Sequence, residues 1–273
     1  EAFAKPRDPD DAGSDPLRER EDEDSIRRAK AWQLQKFDAG RACLTWPREC
    51  GGQDAGRMEQ VIWGEEEGRF ETPPDLYAIG HGMLGPTLIA HGTPEQKGRT
   101  VREMARGQVI WCQLFSEPDA GSDLAGLRTS ATRDGSAWVL NGQKIWSTGA
   151  HYCDFGMIVT RTDPEAAKHA GLTCFFVDMH APGIEVRPIR QINGAAGFNE
   201  VFFSDVRVPD ANRLGAVGDG WRVALTTLMN ERVAIGAGSA SGGFKNLMKL
   251  ARDTRKGGHA AIQDSAVRQR LAD

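Results

Sequence analysis

The chain has 273 residues, of which 40% are hydrophobic and 26% charged, and a formal net charge of −4 at pH 7. This composition is typical of a globular protein with a buried core, and it argues against a basic surface for nucleic acid. The five cysteines show no zinc-site or redox-pair spacing, and no apolar run approaches the ~20 residues of a membrane span. No signal peptide is recognisable, so we expect a cytoplasmic protein with reduced thiols and no bound metal.

The first part of the chain predicts a charged arm followed by helices. Residues 1–25 are rich in Asp, Glu, Arg and Pro, which is typical of a solvated segment without fixed structure. Residues 26–108 are expected to form a helical domain, because apolar residues recur at helical spacing. Thr93 and Pro94 fit a helix N-terminus, with threonine as the cap and proline in the first turn. The segments predicted to be helical before that point are 26–42, 57–70 and 75–90.

From about Val109 the pattern changes to short runs of β-branched and aromatic residues, separated by Gly, Pro, Asn or Asp. Six such runs in succession predict a sheet over residues 109–218 that closes into an antiparallel β-barrel. Helical spacing returns at Trp221, so residues 219–273 are expected to begin a C-terminal helical bundle. An order of helices, strands and helices gives an α+β fold.

The segment SEPDAGSD, residues 116–123, follows the first predicted strand as a loop. Glycine lets a backbone approach a ligand closely, and exposed N–H and hydroxyl groups suit phosphate or ribityl oxygens. The same residue types also form ordinary turns. The residues alone therefore leave a ligand-binding loop and a simple turn both open.

A second segment, LNGQKIWSTGA, begins at Leu140. Asn141-Gly142 between two strand-like runs predicts a hairpin turn, with Trp146, Ser147 and Thr148 on the returning strand. Alternation along that strand places Trp146 and Thr148 on one face. A flat aromatic ring beside a hydroxyl group suits a flat heteroaromatic cofactor, and a tryptophan of the barrel core is the alternative.

Together these segments resemble the acyl-CoA dehydrogenase family. The family's flavin loop reads TEPxAGSD, which residues 116–123 resemble with Ser116 in place of threonine. Its second flavin segment reads NGxKxWIT, which residues 141–148 resemble with Ser147 in place of isoleucine. The later run PGIEVRPI and the strand end Phe-x-Asp-Val-x-Val-Pro, here residues 203–209, are also similar to the family. The resemblance runs from about Leu44 to Asp273.

The resemblance implies a bound FAD and a dehydrogenase reaction. FAD would accept hydride while an acyl-CoA thioester becomes the trans-2-enoyl-CoA, and an electron-transfer flavoprotein would be the usual acceptor. The family also implies a homo- or hetero-oligomer, a dimer or tetramer. Ser122 is further implied beside the thiol arm of acyl-CoA. The residues implied to contact FAD are Phe115, Ser116, Gly121, Ser122, Trp146, Ser147 and Thr148.

The first predicted helix after the strands, which begins at Trp221, carries the candidate base. Leu225, Leu228, Glu231 and Ile235 lie at spacings of three and four, so Glu231 borders an apolar stripe. One branch of the family places its catalytic glutamate in a Glu-Arg pair on this helix. That similarity implies Glu231 as the base and Arg232 near the CoA ester. Other branches place the base downstream of this sequence, and a solvated surface ion pair is a further alternative.

Three departures or open points follow from the resemblance. The family's Arg-x-x-Phe-Gly is replaced here by Arg255 followed by Lys-Gly-Gly-His, so Arg255 is not expected to reach FAD of a neighbouring subunit. Residues 236–243 are all Gly, Ala or Ser, which indicates close packing against a helix, a cofactor or a partner. The helices that complete the family's third domain would lie beyond Asp273 or come from a partner.

Two rival functions stay open: an acyl-CoA or nitroalkane oxidase, and a non-catalytic or half-site subunit of a paired assembly.

Overall fold

The computed structural model describes residues 5–6, 22–236 and 242–272. Most of the predicted charged arm and residues 237–241 of the small-residue run lie outside these ranges. The first part of the described chain is helical, as predicted, with π-helical turns at Gly80–Leu84 and Lys97–Val101. Its helices are α1 (Glu23–Asp38), α2 (Arg57–Glu67), α3 (Gly85–His91), α4 (Pro94–Gln96) and α5 (Arg102–Ala105).

The predicted start of α4 is confirmed in detail. The Thr93 hydroxyl accepts a hydrogen bond from the Gln96 amide, and the Gln96 side chain accepts one from the Thr93 amide. This reciprocal pair satisfies two amides that the helix leaves without partners. The polar pattern of a helix start was therefore sufficient to place this end.

A mixed sheet follows these helices. Its order is β10-β7-β6-β4-β5-β9-β8, and β3 pairs with β6 outside that path. A small separate pair joins β1 to β2. The strands are β1 (Lys5–Pro6), β2 (Phe70–Glu71), β3 (Trp111–Leu114), β4 (Ser130–Asp134), β5 (Ala137–Lys144), β6 (Phe155–Arg161), β7 (Leu172–Asp178), β8 (Ile184–Ile189), β9 (Phe198–Pro209) and β10 (Arg213–Leu214).

The predicted closed antiparallel barrel is wrong. Within the described residues the end strands β8 and β10 do not pair, and β3 runs parallel to β6. Alternating polarity identified six strands, but it carries no information on the partner or direction of a strand. It also missed β4, in which only Ala131 is buried, because a mostly polar strand lacks the alternation.

The predicted hairpin at Asn141-Gly142 is also wrong. The turn lies between β4 and β5, where Gly135 has φ +61° and Asp134 pairs with Ala137. Asn141 and Gly142 instead form a bulge inside β5. The Asn141 side chain donates to the Asp205 carboxylate and accepts from the Asp205 amide, both at 2.9 Å. Asn-Gly suits a bulge as well as a turn, because both need unusual backbone angles.

The C-terminal part of the described chain returns to helix. Its elements are α6 (Gly220–Gly236), α7 (Gly242–Asp253), the strand pair β11 (Arg255–Lys256) and β12 (His259–Ala260), and α8 (Ser265–Ala272). No helix among the described residues combines the length and apolar character that a bilayer crossing requires.

Helix α6 packs closely against the π-helical turn Gly80–Leu84, which leads directly into α3. A Cβ atom on Gly82 would lie 2.8 Å from the Cβ atom of Ala234, so the two backbones approach closely there. Helix α6 buries Val223, Ala224 and Thr227 on this side. The predicted apolar stripe was misplaced. Leu225 is 42% exposed, and the face that packs inward is formed by Val223, Ala224 and Thr227 instead.

Candidate active site

The loop after β3 leaves the core and then exposes its small residues. Phe115 is buried and Ser116 is half-buried. The amides of Glu117 and Ala120 donate to each other's carbonyl oxygens at 2.9 and 3.0 Å, which tightens the turn. Gly121 and Ser122 follow on the surface, and a Cβ atom added to Gly121 would meet nothing within 4 Å. Backbone and hydroxyl groups are thus open to a ligand here.

The second candidate segment lies beyond β5 rather than on it. Strand β5 ends at Lys144, so the prediction that Trp146, Ser147 and Thr148 continue a strand is wrong. Trp146 has φ +60° and a side chain that is 57% exposed. A tryptophan in the left-handed region is strained, and such strain is found at ligand sites where the surroundings enforce it. Its ring meets Phe198 edge to face at 6.1 Å.

Hydrogen bonds join the two candidate segments and leave two amides open. The Ile145 amide donates to the Ser116 carbonyl oxygen at 2.9 Å. The Ser147 amide donates to the Asn199 carbonyl oxygen at 3.0 Å, and the Asn199 side chain donates to the Ser147 carbonyl oxygen at 2.9 Å. The amides of Trp146 and Thr148 make no hydrogen bond to any described residue. The segment is therefore fixed on one side and presents donors on the other.

Asn199 was missed from the sequence, although it is fully buried and fixes the second segment. It lies 52 positions after Ser147, on β9, and a local pattern cannot connect the two. The Ser147 hydroxyl is buried and has no hydrogen-bond partner among the described residues. Its side chain points away from solvent, so a cofactor would meet the exposed side chains of this segment first.

A buried ion pair lies behind both segments and was not predicted either. The Lys144 ammonium group donates to the Glu117 carboxylate at 2.8 Å and to the Phe115 carbonyl oxygen at 3.0 Å. Glu117 also accepts from the amides of Arg128 and Thr129, at 2.6 and 2.9 Å. The carboxylate therefore links both ends of the first loop to the end of β5.

Burial and the pair act in opposite directions on the two groups. Burial lowers the pKa of Lys144 to about 8, against the attraction of Glu117, which raises it. Burial alone would raise the pKa of Glu117, but Lys144 and the hydrogen bonds outweigh burial and hold that pKa below its usual range. The carboxylate is therefore the more firmly charged partner at neutral pH.

The candidate base lies where β3 leads into the first loop. Glu231 is half-buried on α6, and its carboxylate accepts a hydrogen bond from the Gln113 side chain at 3.5 Å. Gln113 precedes Phe115 by two residues. Helix α6 thus brings Glu231 to the strand that continues into the candidate flavin loop. Gln113 was another residue that sequence reasoning missed.

Two predicted substrate residues remain apart from this network. Arg232 is exposed on α6, and Ser122 is exposed in the first loop. Neither makes a hydrogen bond or an ion pair within the part of the chain that the structure describes. Their roles toward acyl-CoA stay predictions.

The residues present fit a flavin dinucleotide. The exposed, strained Trp146 offers a flat face, and the open amides of Trp146 and Thr148 offer donors beside it. Gly121 and Ser122 offer an open, polar surface of the kind that phosphate or ribityl oxygens need. Donors that the fold leaves free beside a strained aromatic residue are available to a ligand, and such strain is found at ligand sites.

Comparisons with known proteins agree with this arrangement. Three family models match in order: the N-terminal domain of acyl-CoA dehydrogenase at residues 14–108, its middle domain at 112–206 and its C-terminal domain at 218–273. The chain belongs to the acyl-CoA dehydrogenase family. Members of this family are flavin-dependent, and their helical, β and helical domains occur here in the same order.

Individual relatives are similar over most of this chain. Acyl-CoA dehydrogenase FadE34 of Mycobacterium tuberculosis is 48% identical over 223 residues, which is 81% of this chain and 31% of FadE34. The solved structure "Tcur3481-Tcur3483 steroid ACAD" is 31% identical with a TM-score of 0.74, and the match covers 90% of this chain and 62% of that one. The ChsE4-ChsE5 complex of Mycobacterium tuberculosis is 33% identical with a TM-score of 0.72, over 89% and 63%. The chain therefore spans less than two thirds of these relatives.

Proposed function

We propose that the protein is a flavin-dependent acyl-CoA dehydrogenase, which converts an acyl-CoA thioester to the trans-2-enoyl-CoA. The observation that carries the proposal is the approach of Glu231 to β3. Its carboxylate lies 3.5 Å from the side-chain Nε2 atom of Gln113, a residue of the strand that enters the candidate flavin loop. A carboxylate beside a flavin site is the arrangement that proton removal with hydride transfer requires.

Each group of the chain has a distinct part in this proposal. FAD, when bound, supplies the acceptor for the hydride that leaves the β-carbon. Phe115, Ser116, Gly121 and Ser122 would hold it from the first loop, and the Trp146–Thr148 segment would hold it from the other. In this division, the loops that follow β3 and β5 bind FAD.

Glu231 would remove the α-proton onto its carboxylate oxygen. A base must lie within hydrogen-bond reach of the proton that it takes, and a positioned base contributes about 10² to 10⁴-fold in rate. The half-buried setting of Glu231 excludes part of the water that would compete for it. Arg232 and Ser122 would face the CoA ester and its thiol arm.

The proposal is tested by adding acyl-CoA esters to the full-length protein without oxygen and recording the flavin absorbance. Linear, branched and ring-bearing acyl groups belong in the panel, because one similar structure is named a steroid enzyme. Bleaching by at least one ester with formation of its enoyl-CoA is the expected result. No bleaching with any ester would contradict the proposal. Rapid recovery of the colour in air, with hydrogen peroxide formed, would favour the oxidase instead, while slow recovery supports an electron-transfer flavoprotein as acceptor.

A paired assembly is the second candidate, and one observation favours it. Leu225, Met229 and Val233 on α6 are 42, 60 and 56% exposed and lie on one outward face of the helix that carries Glu231. A similar structure is a complex of two named proteins. Light scattering of the full-length protein distinguishes an oligomer from a monomer. Yellow colour that copurifies with the lone chain would argue against a half-site that needs a partner for FAD.

A further inference from the structure

A lysine without exposed surface lies directly behind both candidate flavin segments. The Lys144 side chain is 0% exposed, and that of its partner Glu117 is 8% exposed. Desolvation of two charges is costly, and such pairs are often replaceable by apolar residues without loss of stability. A stability role is therefore a weak explanation for this pair, and its position suggests another.

The first contact of Lys144 reaches the start of the flavin loop. Its ammonium group donates to the Phe115 carbonyl oxygen at 3.0 Å. That carbonyl belongs to the same peptide group as the Ser116 N–H, which donates to no described residue. A charged donor on the oxygen of a peptide polarises it and makes its N–H a stronger donor. The positive charge of Lys144 is thus felt at the Ser116 amide.

The second contact fixes the geometry of the loop. Glu117 takes hydrogen bonds from Lys144 at 2.8 Å and from the amides of Arg128 and Thr129 at 2.6 and 2.9 Å. One carboxylate therefore holds the beginning and the end of the loop together. Lys144 itself is followed at once by Ile145, whose amide binds the Ser116 carbonyl oxygen. The pair sets the distance between the two segments that would face FAD.

We propose that Lys144 and Glu117 are positioning residues for bound FAD. They hold the two flavin segments in one geometry and strengthen the Ser116 amide as a donor to the flavin. This inference rests on the proposed function above. A fixed positive charge near the flavin favours its electron-richer reduced form, so loss of Lys144 should weaken FAD binding and lower the reduction potential of bound FAD.

The test compares the same lysine-to-methionine substitution at two positions of the full-length protein. Lys144→Met removes the buried charge. Lys168→Met removes an exposed lysine that forms an ion pair at 2.5 Å with Asp123 of the candidate flavin loop. The dissociation constant is measured by titrating apoprotein with FAD, and the potential by spectroelectrochemistry of the bound flavin. Lys144→Met is expected to raise the dissociation constant by at least about tenfold and to lower the potential. Lys168→Met is expected to change the dissociation constant by less than ~2-fold.

A second variant keeps the result decisive. Glu117→Gln retains the shape of the side chain but removes the negative charge, and it should shift FAD affinity in the same direction. If either variant folds, as judged by its thermal unfolding, and binds FAD with the wild-type constant and potential, the proposal is overturned. If neither apoprotein folds, the pair is structural and the proposal is again overturned. Failure of the wild-type protein to bind FAD would instead sink the proposed function.

Discussion

The two sides of the candidate site are built in different ways. On the sheet side, buried polar groups join the segments, through Lys144, Glu117 and Asn199. On the helix side, Glu231 has one described hydrogen bond, at 3.5 Å, and its helix is placed by apolar packing. In the proposed site, directed hydrogen bonds position the segments that would bind FAD, whereas the packing of α6 positions Glu231, the proposed base. Changes on the sheet side should alter binding first, and changes on the helix side should alter rate.

The largest expected effect falls on the sheet side, at Asn199. Asn199→Ala removes the donor to the Ser147 carbonyl oxygen and the contact with His151 at 3.2 Å. Buried groups left without partners should cost about 2 to 4 kcal/mol in the free energy of unfolding, measured with denaturant on the apoprotein. Asn193→Ala, at an exposed site, is the matched control and should cost less than ~1 kcal/mol. Equal costs would mean that Asn199 does not hold the segment.

Trp146→Ala should separate binding from stability. The side chain is 57% exposed, so the apoprotein should keep its stability within about 0.5 kcal/mol. The loss of a flat stacking surface should weaken FAD binding by about tenfold and shift the flavin spectrum. Titration of apoprotein with FAD measures the first, and Trp63→Ala on α2 serves as a control without effect on FAD. Unchanged flavin content and spectrum would remove Trp146 from the site.

A pH change should act on the helix side through His81. Burial lowers the pKa of His81 to about 4, and its ring stacks on Tyr77 at 5.1 Å in the π-helical turn beneath α6. The unfolded chain binds the proton near pH 6.5 and the folded chain near 4, so stability is lost as pH falls through this window.

The measurement for His81 is the free energy of unfolding against pH for wild type and His81→Gln. The wild-type advantage should shrink as the pH falls below about 6.5. His180→Gln, at an exposed histidine, should give a curve parallel to that of the wild type. Parallel curves for His81→Gln as well would show that His81 is not kept neutral by the fold.

The smallest effect is expected on the outward face of α6. Met229 is 60% exposed, so Met229→Ser should change the stability of the isolated chain by less than about 0.5 kcal/mol. Thermal unfolding of a dilute sample measures this. A loss of several kcal/mol in the free energy of unfolding would mean that this face is covered in the folded protein. The helix side would then be held as firmly as the sheet side.

Short motifs were enough to predict candidate segments of this site, whereas the contacts that join the segments depend on long-range pairing and were missed. The loop around Gly121 follows from its short motif, whereas the strand predicted for Trp146 was wrong, because β5 ends at Lys144. The role of Asn141-Gly142 was misassigned, because a bulge and a hairpin turn use the same residues. Lys144 and Glu117 are charged, so their sequence suggests solvated side chains, and only the folded sheet shows that they are buried together.

The fold shows the same division. Apolar alternation located most of the strands, since it records which residues face the core. It did not record that β3 pairs in parallel with β6, because the partner of a strand depends on the path of the chain between them. The seat of α6 was likewise unpredictable, because its contact between Gly82 and Ala234 joins residues 152 positions apart along the chain.

The measurement that tests the central claim most directly is anaerobic reduction of the flavin in Glu231→Gln. The full-length variant is mixed rapidly with an acyl-CoA ester that reduces the wild type, and the rate of bleaching is recorded. Glutamine keeps the size of the side chain but cannot accept the proton. The rate should fall by at least ~10²-fold, while FAD and acyl-CoA binding stay within ~2-fold and the exposed control Glu185→Gln behaves as wild type. Reduction of Glu231→Gln at close to the wild-type rate would contradict the account and place the base elsewhere.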